Sequence, residues 1–169
     1  STNYNFRVNG GSVQNGALST FTTTSLTNGQ TVDVIVTSAA GCSGTSGVIT
    51  MTVNGNPVAG LTSSDGDNII CAGTGVTFTG SGGSSYEFFV DGTSVQSGLS
   101  STYVTSVLSG GQTVTVKVSN AAGCSTTSAG ITTVVNANPV ASLVSNDSDN
   151  IICAGTSVTF TGAPVGTNY

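Results

Sequence analysis

The sequence TVTVKV at residues 113–118 places a valine at every second position. Successive side chains of a β-strand point to opposite faces, so this period of two predicts a strand with one buried face. Val114, Val116 and Val118 share that face. The same pattern returns as TVDVIV at residues 31–36. We therefore expect the same strand to occur twice in the chain.

These two strands belong to an internal repeat with an offset of 82 residues. The segment SSDGDNIICAGTGVTFTG at residues 63–80 returns as SNDSDNIICAGTSVTFTG at residues 145–162. The linker VNGNP at residues 53–57 likewise returns as VNANP at residues 135–139. Proline fixes its own φ and restricts the residue before it, so each Asn-Pro step predicts a stiff junction between repeats.

The offset predicts three parts in the chain. Residues 1–55 are the C-terminal part of one repeat, residues 56–137 are a complete repeat, and residues 138–169 are the N-terminal part of the next. The tetrapeptides STNY at the start and GTNY at the end occupy the same phase of the repeat. We therefore expect a longer polymer that continues in both directions. A second interpretation is that the partial repeats of separate chains complete each other by strand donation.

Short runs with a period of two fill the complete repeat, and turns rich in Gly, Asn and Asp separate them. The runs are PVAGL at 57, VTFTG at 76, YEFFV at 86, STYVTS at 101, TVTVKV at 113 and GITTVV at 130. About seven short strands in a domain of this size are typical of two antiparallel sheets packed face to face. No stretch has the helical period. We predict an all-β chain of tandem immunoglobulin-like antiparallel β-sandwich repeats of about 82 residues.

The inward positions of these runs predict the core of the complete repeat. Its members are Val76, Phe78, Tyr86, Phe88, Tyr103, Leu108, Val114, Val116, Val118, Ile131 and Val135. Surface outweighs interior in a domain this small, so we expect a covalent link or neighbouring repeats to add to its stability.

The charge composition excludes several classes of function. Only 5% of the residues are charged, Arg7 and Lys117 are the only cations, and the formal net charge is −5. A chain with so few cations cannot neutralise phosphates, which argues against nucleic acid and against anionic membranes as partners. No run approaches the roughly 18 to 20 apolar residues that span a bilayer. The chain contains no histidine, and its seven acids lie mostly in turns, so we do not expect an enzyme.

The four cysteines predict a disulfide. Their spacing matches no zinc site, whereas a small extracellular domain favours a disulfide. Cys71 and Cys124 form the pair available inside the complete repeat, which leaves Cys42 and Cys153 to pair outside this sequence. In an immunoglobulin topology Cys71 precedes the second strand and Cys124 follows the sixth, which places them toward opposite ends. Either the segment before Cys71 runs back along the sandwich, or the cysteines link neighbouring domains.

A D-x-D-N motif before each IIC sequence predicts either a turn or a cation site. The oxygen-bearing side chains belong to Asp65, Asp67 and Asn68 in one copy and to Asp147, Asp149 and Asn150 in the other. Carboxylate and amide oxygens at this spacing are ligands for Ca²⁺, although the glutamate that closes an EF-hand loop is missing. The same residues also form Asx turns. Calcium is the only cofactor that the sequence suggests.

Four sequences in a fixed order carry a family resemblance. These are ICAGTSVTFTG, NYNFRVNG, GQTVDVIVTSAAGCSGTSG and VNGNP. Together they resemble the immunoglobulin-like, PKD-like tandem repeats of giant Bacteroidota surface adhesins and filaments. The resemblance covers essentially the whole chain. It implies a very long polypeptide secreted by the type IX system, whose repeats form a stalk or filament. The D-x-D-N motif departs from many looser relatives.

The function expected from these observations is structural. We predict a repeat module of a very long extracellular filament or adhesin stalk that gives reach, stiffness and protease resistance for attachment to surfaces or cells. The predicted partners are neighbouring repeats of the same chain, and identical chains where edge strands associate laterally. The alternative is a glycan-binding or surface-binding module of a secreted multidomain protein, with loops such as GSGGSS at Gly80 or NGGSVQ at Asn9 as the contact surface.

Overall fold

A computed structural model describes residues 1–165 of the chain, and every regular element in this range is a β-strand. The chain divides into two compact units. The first comprises Ser1–Asn56 together with Ala122–Cys124, and the second comprises Pro57–Ala121 together with the described residues from Ser125 onward. Nothing in the described range is a helix of the length and hydropathy that a bilayer crossing requires.

The first unit is a single antiparallel sheet of five strands. The strands are β1 (Asn3–Val8), β2 (Gly11–Gly16), β3 (Thr31–Thr37), β4 (Ser43–Thr45) and β5 (Ile49–Thr50). Their order is β2-β1-β3-β4, and β5 pairs with the start of β3. The alternating TVDVIV sequence therefore forms the central strand of this sheet, as its period of two predicts.

The complete repeat in the second unit contains ten strands. They are β6 (Gly60–Ser63), β7 (Ile69–Cys71), β8 (Val76–Ser81), β9 (Ser85–Val90), β10 (Thr93–Gly98), β11 (Thr102–Thr105), β12 (Thr113–Ser119), β13 (Ser125–Thr127), β14 (Ile131–Thr132) and β15 (Val134–Asn136). One antiparallel sheet has the order β11-β8-β6, and the other has the order β10-β9-β12-β13 with β14 also on β12. β7 and β15 form a short parallel pair. The predicted all-β, antiparallel sandwich is confirmed.

The core of this sandwich lies between its two sheets. Val114, Val116 and Val118 alternate inward along β12 and are fully buried. Phe78 from β8 and Phe88 from β9 are also fully buried. The other predicted core residues are buried or packed against this cluster, namely Val76, Leu108, Tyr86, Tyr103, Ile131 and Val135. The sequence analysis missed Ile70, which is 5% exposed.

The described residues after the complete repeat form a two-stranded antiparallel sheet. Its strands are β16 (Val140–Ser145) and β17 (Phe160–Val165). The register places Ser142 opposite Ala163 and Ser145 opposite Phe160. In the complete repeat, β6 and β8 pair in the same register, because the offset of 82 carries each pair of the first hairpin onto the second.

Three strands of the complete repeat escaped sequence prediction: β7, β10 and β13. β7 and β13 have only three residues each, and β10 has the sequence TSVQSG, so none offers a period long enough to recognise. Their backbones pair because neighbouring strands present free hydrogen-bonding groups at the right distance. Tertiary pairing therefore decides these elements.

Candidate functional site

The D-x-D-N motif forms a closed turn immediately before β7. The backbone N–H of Ile69 donates to Oδ1 of Asp65 at 3.1 Å and to Oδ1 of Asp67 at 3.0 Å. Asn68 has a φ of 58°, in the left-handed region that asparagine tolerates better than most residues. The backbone N–H of Asp65 donates to Oγ of Ser63 at 3.1 Å. These are the hydrogen bonds of Asx turns.

The second copy of the motif has the same hydrogen bonds. The N–H of Ile151 donates to Oδ1 of Asp147 at 3.2 Å and to Oδ1 of Asp149 at 3.1 Å. Asn150 has a φ of 59°, and the N–H of Asp147 donates to Oγ of Ser145 at 3.1 Å. The turn therefore forms from local sequence, with or without the rest of a sandwich around it.

The hydrogen bond to the backbone of Ile69 lowers the pKa of Asp67, and a further hydrogen bond with Asp65 lowers it again. The corresponding bonds from Ile151 and Asp147 lower the pKa of Asp149. A carboxylate that accepts hydrogen bonds is stabilised in its charged form, which is the cause of both shifts. Each turn therefore holds at least one carboxylate that stays ionised below the usual range.

The turn also positions the parallel strand pair. The backbone N–H of Val134 donates to the carbonyl oxygen of Asn68 at 2.8 Å, one residue before Ile69 takes its place opposite Val134. The side-chain Oδ1 of Asn68 is buried and has no hydrogen-bond partner. The motif thus has a structural role that accounts for its repetition: it fixes where β7 begins.

The calcium prediction concerns the same six residues. Each turn offers two carboxylates and one amide, fewer than the six to eight oxygens that Ca²⁺ takes, so water or backbone carbonyls would have to supply the remainder. Within residues 1–165 no three acidic, cysteine or histidine side chains gather at one point. The hydrogen bonds agree with the Asx-turn interpretation, and calcium binding stays a prediction.

The predicted disulfide between Cys71 and Cys124 is not formed, and the described residues contain no other. Cys71 lies opposite Asn136, beyond the Thr113 end of β12, because β14 pairs Thr132 with Thr113 and the chain then continues outward into β15. Cys124 immediately precedes β13. Ser125 of that strand lies opposite Ser119, at the other end of β12.

The length of β12 explains why the pair does not meet. Seven residues of extended chain separate the two ends, which is roughly 20 Å at about 3.3 Å per residue. A disulfide needs Cα atoms about 4.4 to 6.8 Å apart. The segment before Cys71 does run along the sandwich, but it runs away from Cys124. Linkage between neighbouring domains, the second interpretation, stays a prediction, as does pairing of the exposed Cys42 and Cys153 outside this sequence.

The glycine-rich loop GSGGSS is a packed corner of the sandwich. A Cβ atom added to Gly83 would lie 2.2 Å from Cγ1 of Val118, and one added to Gly82 would lie 1.8 Å from the carbonyl oxygen of Val58. Gly82 also has a φ of 101°, which strains any other residue. Close packing accounts for these glycines without a ligand.

The two NG and DG hairpin turns also have a structural role. Asn9 has a φ of 49° and its Oδ1 accepts from the N–H of Thr31 at 2.9 Å. In the complete repeat, Asp91 has a φ of 50° and its Oδ1 accepts from the N–H of Thr113 at 2.9 Å. Each turn therefore ties the end of its hairpin to the start of the central strand.

The aromatic side chains offer little platform for a sugar. Phe89, the outward aromatic of the complete repeat, is only half-buried, and Arg7 replaces it in the first unit. Arg7 lies opposite Asp33 and donates to it from Nε, at 2.9 Å, and from Nη2. Phe160 is 65% exposed, more than any other described aromatic, yet it occupies the place of the buried Phe78.

Comparison with known proteins gives fold similarities alone. No protein-family model matches the chain. No curated protein sequence matches it either. The fibronectin(III)-like modules of CbhA from Clostridium thermocellum are similar over 79% of this chain and 78% of theirs, with 12% identity and a TM-score of 0.44.

A second solved structure is SGBP-B of the mixed-linkage glucan utilization locus of Bacteroides ovatus, in complex with a mixed-linkage heptasaccharide. It is similar over 84% of this chain, with 15% identity and a TM-score of 0.27. The chain spans only 40% of that protein's length. Similarities of this strength say nothing about a ligand, so the chain is assigned by its own strand order: an immunoglobulin-like antiparallel β-sandwich, repeated in tandem.

Proposed function

We propose that this chain is a structural repeat module of a very long extracellular filament or adhesin stalk. The observation that carries the proposal is the copied turn chemistry. Asn9 and Asp91 make the same backbone hydrogen bond in the same hairpin, 82 residues apart. The acidic turns before Ile69 and Ile151 match in the same way. What the repeat preserves is therefore the means of building a strand frame.

The loops support the same proposal. A copied ligand site would need accessible side chains in the same loop of each repeat. The GSGGSS loop instead packs its glycines against Val58 and Val118. The NGGSVQ loop begins with the hairpin turn at Asn9 and continues into β2. Both loops are used by the fold itself.

The surface composition supports durability outside the cell. Trypsin-like proteases cut after arginine and lysine, and the chain contains one of each. Arg7 is held by Asp33, and Lys117 lies 3.9 Å from Glu87. A surface with few charges also depends little on salt, since there is little to screen. We place the chain at the cell surface or in a secreted filament, with neighbouring repeats of the same chain as its main partners.

Mechanical and proteolytic measurements test this function. Pulling the 169-residue chain by its ends should give a cooperative force peak for the complete repeat, and trypsin should leave that repeat intact for hours. The Phe88→Ala variant is the matched control, because removal of this fully buried ring should lower the force peak and admit the protease. A wild-type chain that extends without a peak, or that trypsin degrades at once, would exclude a load-bearing role.

The competing proposal is a glycan-binding module. Its supporting observation is Phe89, an aromatic on the outward face of β9 opposite Thr115. Calorimetry with mixed-linkage glucan oligosaccharides tests it, and Phe89→Ala is the matched variant. Saturable heat that disappears in this variant would favour the binding module. The structural module predicts no saturable heat from either protein.

Calcium binding at the two acidic turns is a separate proposal. Asp65, Asp67 and Asn68 would hold the ion in one turn, and their copies Asp147, Asp149 and Asn150 would hold it in the other. Calorimetric titration with CaCl₂ tests it, with Asp67→Asn as the matched variant because this change keeps the oxygen that bonds Ile69 and removes the charge. Absence of binding heat, with an unchanged Tm, would reject the ion and leave the turn.

A further inference from the structure

The sheet of the first unit has a more exposed inner face than its counterpart. Val34, in the middle of β3, is half-buried, whereas Val116 at the same position of the complete repeat is fully buried. The other inward pairs of these two sheets differ in the same way: Phe6 and Phe88, Val32 and Val114, Val36 and Val118. Ile49, on β5, is 64% exposed. This face is an apolar surface without the cover that its copy has.

Strands β7 and β8 cover this face in the complete repeat. Ile70, Val76 and Phe78 from these strands are buried in the same cluster as Val114 and Val116. In the first unit, the corresponding space is a groove of about 350 Å³ whose lining includes Phe21, Leu26, Val32 and Ile49. Three apolar side chains of stated size and position are therefore missing from it.

The chain carries the same three side chains a second time. Ile152, Val158 and Phe160 are the copies of Ile70, Val76 and Phe78. Ile152 is 50% exposed and Phe160 is 65% exposed, against 5% for Ile70 and 0% for Phe78. Leu143, on the adjacent β16, is 69% exposed. A segment with the shape and chemistry of the missing cover thus presents its apolar side chains to solvent.

The backbone edges match as well. β8 pairs with β6 on one side and with β11 on the other, where Tyr103 lies opposite Phe78. β17 has the β16 partner, but residues 20–23, the copy of β11, are not a strand. Each therefore has the partner of the other's copy still to find. An unpaired strand edge is a template for another chain.

A second backbone pairing is incomplete in the same way. β7 and β15 form the parallel pair of the complete repeat. Their copies, residues 151–153 and residues 52–54, are both outside strands. Two independent strand pairings thus lack one member in the first unit and the other member in the C-terminal segment.

We propose that residues 140–163 of one copy of this chain dock on the sheet of the first unit of a second copy. Phe160 enters the groove beside Phe21, and β17 pairs with residues 20–23 in the register of β8 with β11. That register places Thr161 opposite Thr20 and Phe160 opposite Phe21. Residues 151–153 pair in parallel with residues 52–54. The occupant is a second copy, by strand complementation.

The geometry of the complete repeat favours a second copy over closure on the same chain. Pro57 begins this unit at the end that carries Gly82, since Val58 contacts that glycine. Asn138 leaves it at the opposite end, where its side chain donates to the carbonyl oxygen of Ala72 at 2.9 Å. Val140 follows Asn138 by two residues. The docking segment therefore begins about one sandwich length away from Pro57.

Each copy then has one donor segment and one acceptor sheet. Contacts between two different surfaces of identical subunits add head to tail, and where the rotation does not close a ring they produce a filament. This inference goes beyond the proposed function, which needs only repeats joined within one chain. The assembly can fail while the mechanical function stands, and the reverse also holds.

Light scattering after size-exclusion chromatography tests the assembly on the 169-residue chain. We expect a molar mass that rises with concentration through multiples of the 16.5 kDa chain mass. The donor variant Phe160→Asp should remain at the mass of one chain. Thr161→Asp is its matched control, because the neighbouring side chain points away from the groove, and it should assemble as the wild type does.

The acceptor variant Phe21→Asp completes the test. Phe21 lies outside the strands of the first unit, so the change should leave the sheet intact while it spoils the groove. Alone, this variant should also stay a single chain. Mixed with Phe160→Asp, it should give a 1:1 dimer and nothing larger, because one intact donor then meets one intact acceptor.

Three results would overturn the proposal. One is a wild-type chain of constant mass at all concentrations, including a single chain whose residues 20–23 are protected from hydrogen exchange by closure on itself. Another is assembly of Phe160→Asp to the same extent as the wild type. The third is a mixture of the two variants that contains only single chains.

Discussion

Phe78 and Phe160 occupy the same position of the repeat, yet Phe78 is fully buried and Phe160 is 65% exposed. Both rings follow the sequence VT and precede TG. Phe78 lies beneath the sheet that carries Phe88, and its ring stacks on Tyr103 with centroids 6.4 Å apart. The difference between the two phenylalanines is therefore the presence of an opposing sheet.

Replacement of Phe78 by alanine should destabilise the complete repeat by about 3 to 5 kcal/mol, the usual cost of removing a buried ring and leaving a cavity. Thr79→Ala, at the exposed position next to it, should change the free energy of unfolding by about 0.5 kcal/mol or less. Urea unfolding followed by tyrosine fluorescence measures both. Equal destabilisation by the two changes would contradict the burial seen at Phe78.

Gly83→Ala should destabilise the sandwich by roughly 1 to 3 kcal/mol, because the new methyl group would meet Val118 and the carbonyl of Ser119. Gly66→Ala is the control, since an added Cβ there finds nothing within 4 Å. That control should be neutral, or stabilising by about 0.4 to 1 kcal/mol through the unfolded state. Thermal unfolding of the two variants gives the comparison, and a stable Gly83→Ala would mean that the GSGGSS corner is loose.

Asp91→Ala should cost about 1 to 2 kcal/mol, because alanine strains at the φ of 50° and cannot accept from the N–H of Thr113. Asp91→Asn should retain most of the stability, since asparagine tolerates the left-handed region and keeps the acceptor. The chain already uses asparagine at the equivalent Asn9. Equilibrium unfolding would refute this role for the side chain if the two variants were equally stable.

Stability should fall as the pH drops below about 4, the usual pKa of an aspartic acid. Hydrogen bonds lower the pKa of Asp67 and Asp149 in the folded chain, and Arg7 lowers the pKa of Asp33. The folded chain then binds fewer protons than the unfolded chain in this window, so this stabilisation is present above it and is lost as the pH falls through the folded pKa values.

The Asp67→Asn variant isolates one of these groups. Asparagine keeps an oxygen for the N–H of Ile69 but does not titrate. The difference in Tm between wild type and variant should be largest near neutral pH and should shrink as the pH is lowered past the folded pKa of Asp67. A difference that stays constant with pH would show that Asp67 contributes through shape alone.

Reducing agent should leave the Tm of the chain unchanged, since no disulfide joins the described residues. Cys71 is exposed and should react with a thiol reagent in the native state. Cys71→Ser should then have the stability of the wild type. A loss of stability in this variant, with a native mass short by two hydrogens, would establish the bridge that the coordinates do not contain.

The strand frame and most of the core were predictable from sequence. Alternation along β12 gives the inward face of Val114, Val116 and Val118, because side-chain direction in a strand depends only on the parity of the position. Ile70 was missed, since its three-residue strand has no period of its own. Its burial follows from the parallel pairing with Val135, a contact between residues far apart in the chain.

The disulfide prediction failed for a related reason. Sequence alone shows which cysteines share a repeat, but the distance between Cys71 and Cys124 depends on which way β7 runs. β7 pairs in parallel with β15, and this carries Cys71 toward Asn136 and away from the turn before β13. The direction of a short strand is set by the edge it finds, which the local residues do not encode.

By itself the sequence determined the period of 82 residues, the all-β class, the inward valines and phenylalanines, and the turns that asparagine, aspartate and glycine build. Each of these depends on residues close together in the chain, so identical segments give identical turns in both copies. The tertiary structure alone decided which apolar side chains are covered. Burial requires an opposing sheet, and identical residues such as Phe78 and Phe160 therefore differ in exposure according to what lies across from them.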